Sequence, residues 1–221
     1  MTKEVFPGTC RGVRLDERLT NCAGDRGGRR YNAFTLIELI VVVGIIIVLT
    51  GLVLSTVGYA RKKGARARAE TEIAAMSAAC ENYKADNGVY PSNVVTNGLD
   101  ARMMGNPTGT TDPTYSNTSL YLYITLSGDS TGNRNPTGKS YMSFKPNMLL
   151  PPGGSGNVTA IADPFGYSYG YSTAANPQAN PTPSGTPGYN PTFDLWSTAG
   201  LTSNPPGTPP DTTTPQWIKN W

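Results

Sequence analysis

An uninterrupted apolar segment is the feature that most constrains this chain. Residues 34–58 read FTLIELIVVVGIIIVLTGLVLSTVG and contain one charged side chain, Glu38. A helix of this length spans about 37 Å, enough to cross a ~30 Å hydrocarbon core with some tilt. The apolar region of a cleaved secretory signal is shorter and ends at small residues, whereas ARKKGARARAE follows here. We therefore predict a transmembrane helix, with a cleaved secretory signal and a buried soluble helix as the alternatives.

The net charge is unevenly distributed about this segment. Residues 1–33 carry seven basic and four acidic side chains, which accounts for the whole net charge of +3, and residues 34–221 are balanced. The main body of the chain lacks a basic excess, so we expect no nucleic-acid partner. Five Lys or Arg residues lie within 20 residues of the apolar segment on each side, so the charge count does not set its orientation.

The composition argues against an enzyme. The chain has no histidine, which excludes a Ser-His-Asp triad and a His-bearing zinc site, and its three cysteines lack C-x-x-C spacing. The aspartates of the C-terminal half are scattered and form no paired-carboxylate motif: Asp112, Asp129, Asp163, Asp194 and Asp211. We expect no catalytic residues and no resident cofactor.

The helix is predicted to continue beyond the membrane. Residues 59–87 contain no proline, are rich in helix formers, and place apolar side chains at alternating spacings of four and three, at Ala69, Ile73, Met76, Cys80 and Tyr83. This stripe should pack against a core, with Cys80 as a buried thiol. Gly88 supplies the helix stop, because glycine readily adopts the left-handed conformation that ends a helix.

The region 88–221 changes to short stretches of β-favouring residues between Gly, Pro and Asn clusters. We predict antiparallel strands at 120–126 (LYLYITL), 140–145 (SYMSFK), 167–173 (YSYGYST) and 192–197 (TFDLWS). Residues 146–160, 174–191 and 201–215 are predicted loops. The expected fold class is α+β, a long N-terminal helix packed on a small antiparallel sheet with long Pro/Gly-rich loops.

Several motifs carry a family resemblance. A basic leader joined to Ala33-Phe34-Thr-Leu-Ile-Glu38 and an apolar helix resembles the class III signal of the type IV pilin superfamily. The stretch YKADNGVYP at 83–91, with Asn97-Gly98-Leu99, is similar to that of type II secretion major pseudopilins. The tail resembles them too, in DPFG at 163–166, Tyr169, Tyr171, FDLWS at 193–197 and IKNW at 218–221.

The resemblance implies a bacterial inner-membrane protein that crosses the membrane once. Prepilin peptidase would remove the 1–33 leader between Ala33 and Phe34, and Phe34 would be N-methylated. Residues 34–58 would form the transmembrane helix, 59–87 its amphipathic continuation and 88–221 a periplasmic β-rich domain. The chain would polymerise through its N-terminal helix into a type II secretion pseudopilus, with minor pseudopilins and the inner-membrane assembly platform as partners. The alternatives are a surface type IV pilin, used in adhesion, motility or DNA uptake, and a membrane-anchored binding domain that does not assemble.

The resemblance assigns Glu38 to assembly, where it would meet the Phe34 amine of a neighbouring subunit. From physics alone, Glu38 could instead sit among lipid headgroups, because it lies only five residues into the span. The family residue before the Phe is Gly and here is Ala33. The family's calcium loop is acidic, whereas residues 198–211 hold one carboxylate, Asp211, a poor ligand set for Ca²⁺. Calcium at Asp211 is therefore an open alternative to no metal.

Two further patterns allow two interpretations each. Gly44, Gly51 and Gly58 share a helix face, which indicates either close helix packing or the ordinary enrichment of Gly in membrane helices. The basic cluster 61–68 either contacts anionic lipid headgroups or pairs with Glu70 and Glu72 on a solvated face.

Overall fold

The protein has the α+β architecture predicted from its sequence. A computed structural model describes residues 34–102, 105–106, 108–109, 112–183, 187–202 and 214–221. The helices are α1 (Leu36–Asn87), α2 (Val94–Gly98) and α3 (Pro113–Ser127). The strands are β1 (Leu149–Leu150), β2 (Ala160–Ile161), β3 (Gly170–Ser172), β4 (Asp194–Ser197) and β5 (Ile218–Lys219). The predicted leader, 1–33, lies outside the described residues.

Helix α1 contributes to both compact units of the chain, Met1–Leu49 and Thr50–Trp221. In the first unit, every described residue from Phe34 to Leu49 is exposed. In the second unit, α1 buries four residues of the predicted apolar stripe, Ala69, Ile73, Met76 and Cys80, together with Ala79, whereas Tyr83 is partly buried against the same cluster. The helix ends at Asn87 because Gly88 adopts a left-handed φ of +77° and donates its N–H to the Lys84 carbonyl at 2.7 Å. The predicted helix and its stop are confirmed.

The core of the second unit forms where α1 meets α3 and the strands. Its largest cluster combines the buried stripe of α1 with Leu122 and Leu126 of α3 and with Tyr171 and Leu195 of the sheet. A second cluster lies around Trp196 and Trp217 and includes Leu99, Ala101 and Tyr115. Cys80 belongs to the larger cluster and is fully buried, which confirms the predicted core thiol.

The strands form two small antiparallel sheets. Strands β1 and β2 pair with each other, and β3, β4 and β5 form a three-stranded sheet with β4 in the centre. In that sheet Gly170 lies opposite Trp196, and Trp196 lies opposite Lys219. Strands β3 and β4 confirm the strands predicted in 167–173 and 192–197. Among the described residues of 174–191 there is no regular element, as predicted.

The strand predicted at 120–126 is wrong, because this segment lies inside helix α3. Asp112 caps the helix by accepting hydrogen bonds from the N–H groups of Thr114 and Tyr115, and Pro113 occupies the first turn. Gly128 ends the helix with φ +76°. One face of α3 packs on β2 and β3 and buries residues at helical spacing, including Tyr115, Leu122 and Leu126.

The strand predicted at 140–145 is also wrong, since this segment is irregular. The N–H groups of Tyr141 and Met142 both donate to the Leu126 carbonyl at the end of α3, at 2.8 and 3.0 Å, so they are used at a helix terminus and not in a strand ladder. The predicted loop 146–160 contains the short strand β1 and the first residue of β2, because Leu149 and Leu150 pair there with Ile161 and Ala160. Most of the predicted loop 201–215, from 203 to 213, lies outside the described residues.

Candidate functional site

The start of α1 places Phe34 and Glu38 within one turn of each other. Phe34 precedes the helix and is 84% exposed. The Glu38 carboxylate accepts hydrogen bonds from the Thr35 N–H at 2.9 Å and from the Thr35 hydroxyl at 2.8 Å. The Thr35 hydroxyl in turn accepts from the Glu38 N–H at 3.4 Å. This reciprocal pattern is a capping box, which satisfies N–H groups that a helix start otherwise leaves unpaired.

The capping box gives Glu38 a local role that the sequence analysis missed. The signal was present, because Thr35-Leu-Ile-Glu38 is the T-x-x-E pattern that precedes an apolar run. A carboxylate at this position also interacts favourably with the positive end of the helix dipole. The assembly role of Glu38 therefore stays a prediction, as do cleavage at Ala33-Phe34 and methylation of Phe34, and Ala33 lies outside the described residues.

The apolar part of α1 presents only exposed side chains up to Thr56. No residue of its most apolar window is buried, and its length and composition are those of a membrane span. A methyl group placed on Gly44, Gly51 or Gly58 would meet no other atom within 4 Å. These glycines thus pack against no other described part of the chain, which leaves both interpretations of the glycine face open.

Two side chains of the basic cluster after the apolar segment form the ion pairs that one of its two interpretations expects. Arg66 Nε lies 3.6 Å from the Glu70 carboxylate, and Arg68 Nε lies 2.6 Å from that of Glu72. Glu72 also accepts a hydrogen bond from the Tyr169 hydroxyl at 2.8 Å. The pair Arg68–Glu72 therefore fastens α1 to the segment that leads into β3. Pairing with Glu70 and Glu72 is confirmed for two members of the basic cluster.

The YKADNGVYP motif joins the end of α1 to the rest of the second unit. The Tyr90 hydroxyl donates to the Glu81 carboxylate at 3.0 Å, and the Pro91 carbonyl accepts from the Tyr171 hydroxyl of β3 at 2.8 Å. Asp86 forms an ion pair with Lys139, and the hydrogen bond from Lys139 holds the pKa of Asp86 below its usual value. The motif residues described here thus have structural roles.

The aspartates of the C-terminal half order loops. Asp163 accepts from the N–H groups of Phe165 and Tyr167 at 2.9 and 2.8 Å and from the Ser197 hydroxyl of β4. Burial raises the pKa of Asp163, and these three hydrogen bonds only partly oppose that effect. Asp194 is likewise buried with a raised pKa, and it accepts from the N–H groups of Tyr189 and Asn190.

Asp129 organises the turn after α3. Its carboxylate accepts from the Tyr123 hydroxyl at 2.9 Å, from the Arg134 N–H at 2.7 Å and from Thr131. Burial raises the pKa of Asp129, but these hydrogen bonds outweigh it and hold the pKa below its usual value. Each described aspartate of the set thus caps a helix or orders a turn.

The calcium alternative cannot be placed on the structure, because Asp211 lies outside the described residues. Within the parts of the chain that the structure describes, no group of three or more His, Cys, Asp or Glu side chains is placed to hold a metal ion. The expectation of no resident cofactor stays a prediction.

Comparison with known proteins identifies relatives of one kind. The chain is 35% identical over 85 residues to the type II secretion system core protein G of Aeromonas hydrophila, which is 38% of this chain and 57% of that protein. It is 38% identical over 94 residues to the core protein G of Pseudomonas aeruginosa, covering 42% of this chain and 64% of that protein. The core protein G of Vibrio cholerae is 37% identical over 73 residues, 33% of this chain and 49% of that protein.

The chain therefore spans about half to two thirds of the length of these relatives. No protein-family model matches it. No solved structure matches it either. The similarity covers a minority of the chain, yet each of these relatives is a type II secretion core protein G with an identity above a third. These matches confirm the resemblance to the type II secretion major pseudopilins that the sequence motifs indicate.

Proposed function

We propose that the chain is a structural subunit of a periplasmic pseudopilus in type II protein secretion. The observation that carries the proposal is an exposed apolar helix that begins at the FTLIEL motif, in a chain similar to core protein G. In water, a monomer that exposes such an apolar surface would tend to aggregate. A lipid bilayer covers it before assembly, and the helices of other subunits cover it in a filament.

In this proposal, prepilin peptidase removes residues 1–33 and Phe34 becomes the methylated N-terminus. Residues 34–58 cross the inner membrane once, and the helix 59–87 with the domain 88–221 lies in the periplasm. Self-association through α1 builds the filament, together with minor pseudopilins and the inner-membrane assembly platform. The role is structural and requires no catalytic residue.

Processing is tested first, by terminal sequencing and intact mass of the protein extracted from membranes. The expected product is residues 34–221 with a methylated Phe34. Ala33→Gly is the matched control and should be processed, whereas Ala33→Leu should accumulate as precursor because the residue before the scissile bond must be small. A membrane-extracted protein that retains residues 1–33, or one that starts after Ala60, would contradict the proposal and leave a plain anchor.

Orientation and assembly are tested separately. A reporter fused after Trp221 should be active only in the periplasm, and cytoplasmic activity would overturn both filament hypotheses. Deletion of the gene should abolish secretion of type II substrates and leave surface pili intact. Loss of surface pili with normal secretion would instead support the type IV pilin.

A further inference from the structure

A groove of about 670 Å³ lies beside the first turns of α1 after the apolar segment. One wall is a single helix face, formed by Tyr59, Lys62, Lys63 and Arg66 at spacings of three and four residues. The opposite wall is formed by Phe165, by the backbone turn 199–201 and by Gln216. All of these residues belong to the second compact unit. We call this site the basic groove.

The far wall of the basic groove is built by a close backbone approach. Gly200 has φ +74°, and a methyl group placed on it would lie 3.0 Å from the Phe165 side chain. Glycine suits this turn, because its φ lies in the left-handed region and a side chain there would also crowd Phe165. Arg66 connects the two walls, because its Nη1 donates to the Gln216 carbonyl at 2.9 Å.

The charge of the basic groove is one-sided. Arg66 is partly neutralised by Glu70 at 3.6 Å. Neither Lys62 nor Lys63 forms an ion pair with a described residue, and no described carboxylate lines the groove. Two ammonium groups thus face a wall of apolar and backbone atoms. This combination suits a ligand that has a negative charge next to apolar carbon.

The position of the basic groove, next to the apolar segment, indicates a lipid headgroup as the anionic ligand. Tyr59 is the first residue after the apolar segment 34–58 and is 73% exposed, and tyrosine is enriched where a membrane helix meets the headgroup layer. Lys62, Lys63 and Arg66 follow within two helical turns. Basic side chains at this depth are attracted to anionic headgroups.

We propose that the basic groove binds the phosphodiester headgroup of an anionic phospholipid, with Lys62 and Lys63 as the charged ligands and Phe165 and Leu201 as the apolar contact. The inference rests on the membrane anchor of the proposed function. A bound headgroup would add to the membrane anchoring by the apolar helix until the subunit leaves the bilayer during assembly. General attraction of a basic stretch to a membrane counts every cation equally, whereas a groove discriminates between neighbouring residues.

The test uses the full chain in nanodiscs that contain equal amounts of phosphatidylglycerol and phosphatidylcholine. Native mass spectrometry then counts the lipids of each class that remain bound to the released protein. The wild type should retain phosphatidylglycerol preferentially. Lys62→Gln and Lys63→Gln should each lower that preference by more than about fivefold, which is the contribution that general attraction to an anionic surface gives to any one basic side chain.

Arg61→Gln is the matched control. Arg61 lies one residue before Lys62 and is thus one residue closer to the apolar segment, but it does not line the groove. Its substitution should lower the lipid preference by about fivefold at most, through general attraction alone, and therefore by less than either lysine substitution. An equal loss in Arg61→Gln would reduce the effect to general surface charge and overturn the groove. Thermal unfolding of all three variants should match the wild type, since these side chains are exposed.

Two other results would overturn the inference. A wild type that enters nanodiscs and retains both lipids equally defeats the groove alone, whereas one that fails to enter them also defeats the proposed membrane anchor. A carbodiimide cross-link in nanodiscs between Lys62 or Lys63 and a carboxylate of the same chain, or of a second copy, would show that protein and not lipid occupies the groove.

Discussion

The Glu38 carboxylate has a local partner as well as a proposed distant one. In the single chain it accepts two hydrogen bonds from Thr35. In the proposed filament it would also compensate the Phe34 amine of an adjacent subunit. These roles differ in charge, because capping needs an acceptor whereas compensation of an ammonium needs a negative charge.

Glu38→Val should therefore separate insertion from assembly. The substitution removes a charge from the membrane segment, so the monomer should insert at least as well, easier by up to ~3 kcal/mol. A filament would then bury an unpaired ammonium, which costs about 3–5 kcal/mol. Membrane fractionation should show normal or raised levels, and electron microscopy of sheared cells should show no filaments.

Thr35→Val is the control for the capping role. It removes the hydroxyl of the capping box at a cost of about 1 kcal/mol but keeps the carboxylate, so filaments should persist. Normal filaments from Glu38→Val would contradict the assembly role. The axial register would then have to come from packing of the helix face that contains Gly44, Gly51 and Gly58.

Asp163 and Asp129 should contribute to stability with opposite pH dependence. Because the pKa of Asp163 is raised in the folded state, the folded protein binds this proton more tightly than the unfolded chain, and the contribution of Asp163 becomes more favourable as the pH falls toward its ordinary pKa of 3.8. The pKa of Asp129 is lowered, so its contribution is present above 3.8 and is lost as the pH falls through the folded value.

Asn substitutions at the two positions check the sign. All three tryptophans, at 196, 217 and 221, lie in the second unit, so near-ultraviolet circular dichroism reports its melting temperature. The melting temperature of Asp163→Asn should fall further below the wild type as the pH is lowered from about 7 to about 3. The deficit of Asp129→Asn should shrink over the same range. If both deficits changed in the same direction, one of the two aspartates would have a pKa shift opposite to the one that its burial and hydrogen bonds indicate.

At the scale of elements, helix α3 shows what local sequence can and cannot decide. The residues of LYLYITL favour strands by composition, whereas the signals for a helix lie outside them, at Asp112-Pro113 and at Gly128. These end signals were available and would have given the right element. The irregular course of 140–145 was not predictable in this way, because it follows from Tyr141 and Met142 donating to the end of α3.

The pairing of β3 with β4 depends on a missing side chain. A methyl group on Gly170 would fall well inside van der Waals contact of the Trp196 ring, which lies on the adjacent strand. Gly170→Ala should therefore destabilise the second unit by about 1–3 kcal/mol, through overpacking against a fully buried ring. Thermal unfolding followed in the near ultraviolet measures the loss.

Gly98→Ala is the matched control within the same unit. A methyl group there meets no atom within 4 Å, and the backbone of Gly98 has no left-handed φ. Its melting temperature should stay close to that of the wild type. Equal losses in the two variants would show that the cost comes from the backbone of glycine in general and not from the Trp196 ring.

The two candidate sites also differ in how far they could be predicted from the sequence. The capping box at Thr35 and Glu38 was readable from four consecutive residues. The basic groove was not, because it requires Phe165, the turn 199–201 and Gln216 to return to α1 from a hundred or more residues away in sequence. The basic residues of the groove are visible in the sequence as a charge cluster. The residues that line its other side come next to them only in the folded chain.

At the scale of the whole molecule, the buried core and the exposed apolar segment lie in different parts of the described chain. Every described hydrophobic residue that is buried lies at Ala69 or later, and the described residues before Val57 are all exposed. The apolar segment thus contributes nothing to the core of the second unit. Because the hydrophobic effect scales with the apolar area that is removed from water, the stability of that unit should not depend on the span.

A chain that begins at Tyr59 should accordingly fold alone in water. We expect a soluble monomer by size-exclusion chromatography, with the melting temperature of the second unit in the full chain and with no filaments, since the proposed polymerisation surface is absent. Leu122→Ala in the short chain should cost about 2–5 kcal/mol, because Leu122 is fully buried between α3 and the rest of the core. If Leu122→Ala had no effect on its melting, the short chain would lack the packed core described for the second unit. If the short chain were unfolded, the core would need residues before 59. The apolar segment would then contribute to folding as well as to membrane insertion. The proposal that the two halves of helix α1 have separate roles would be wrong.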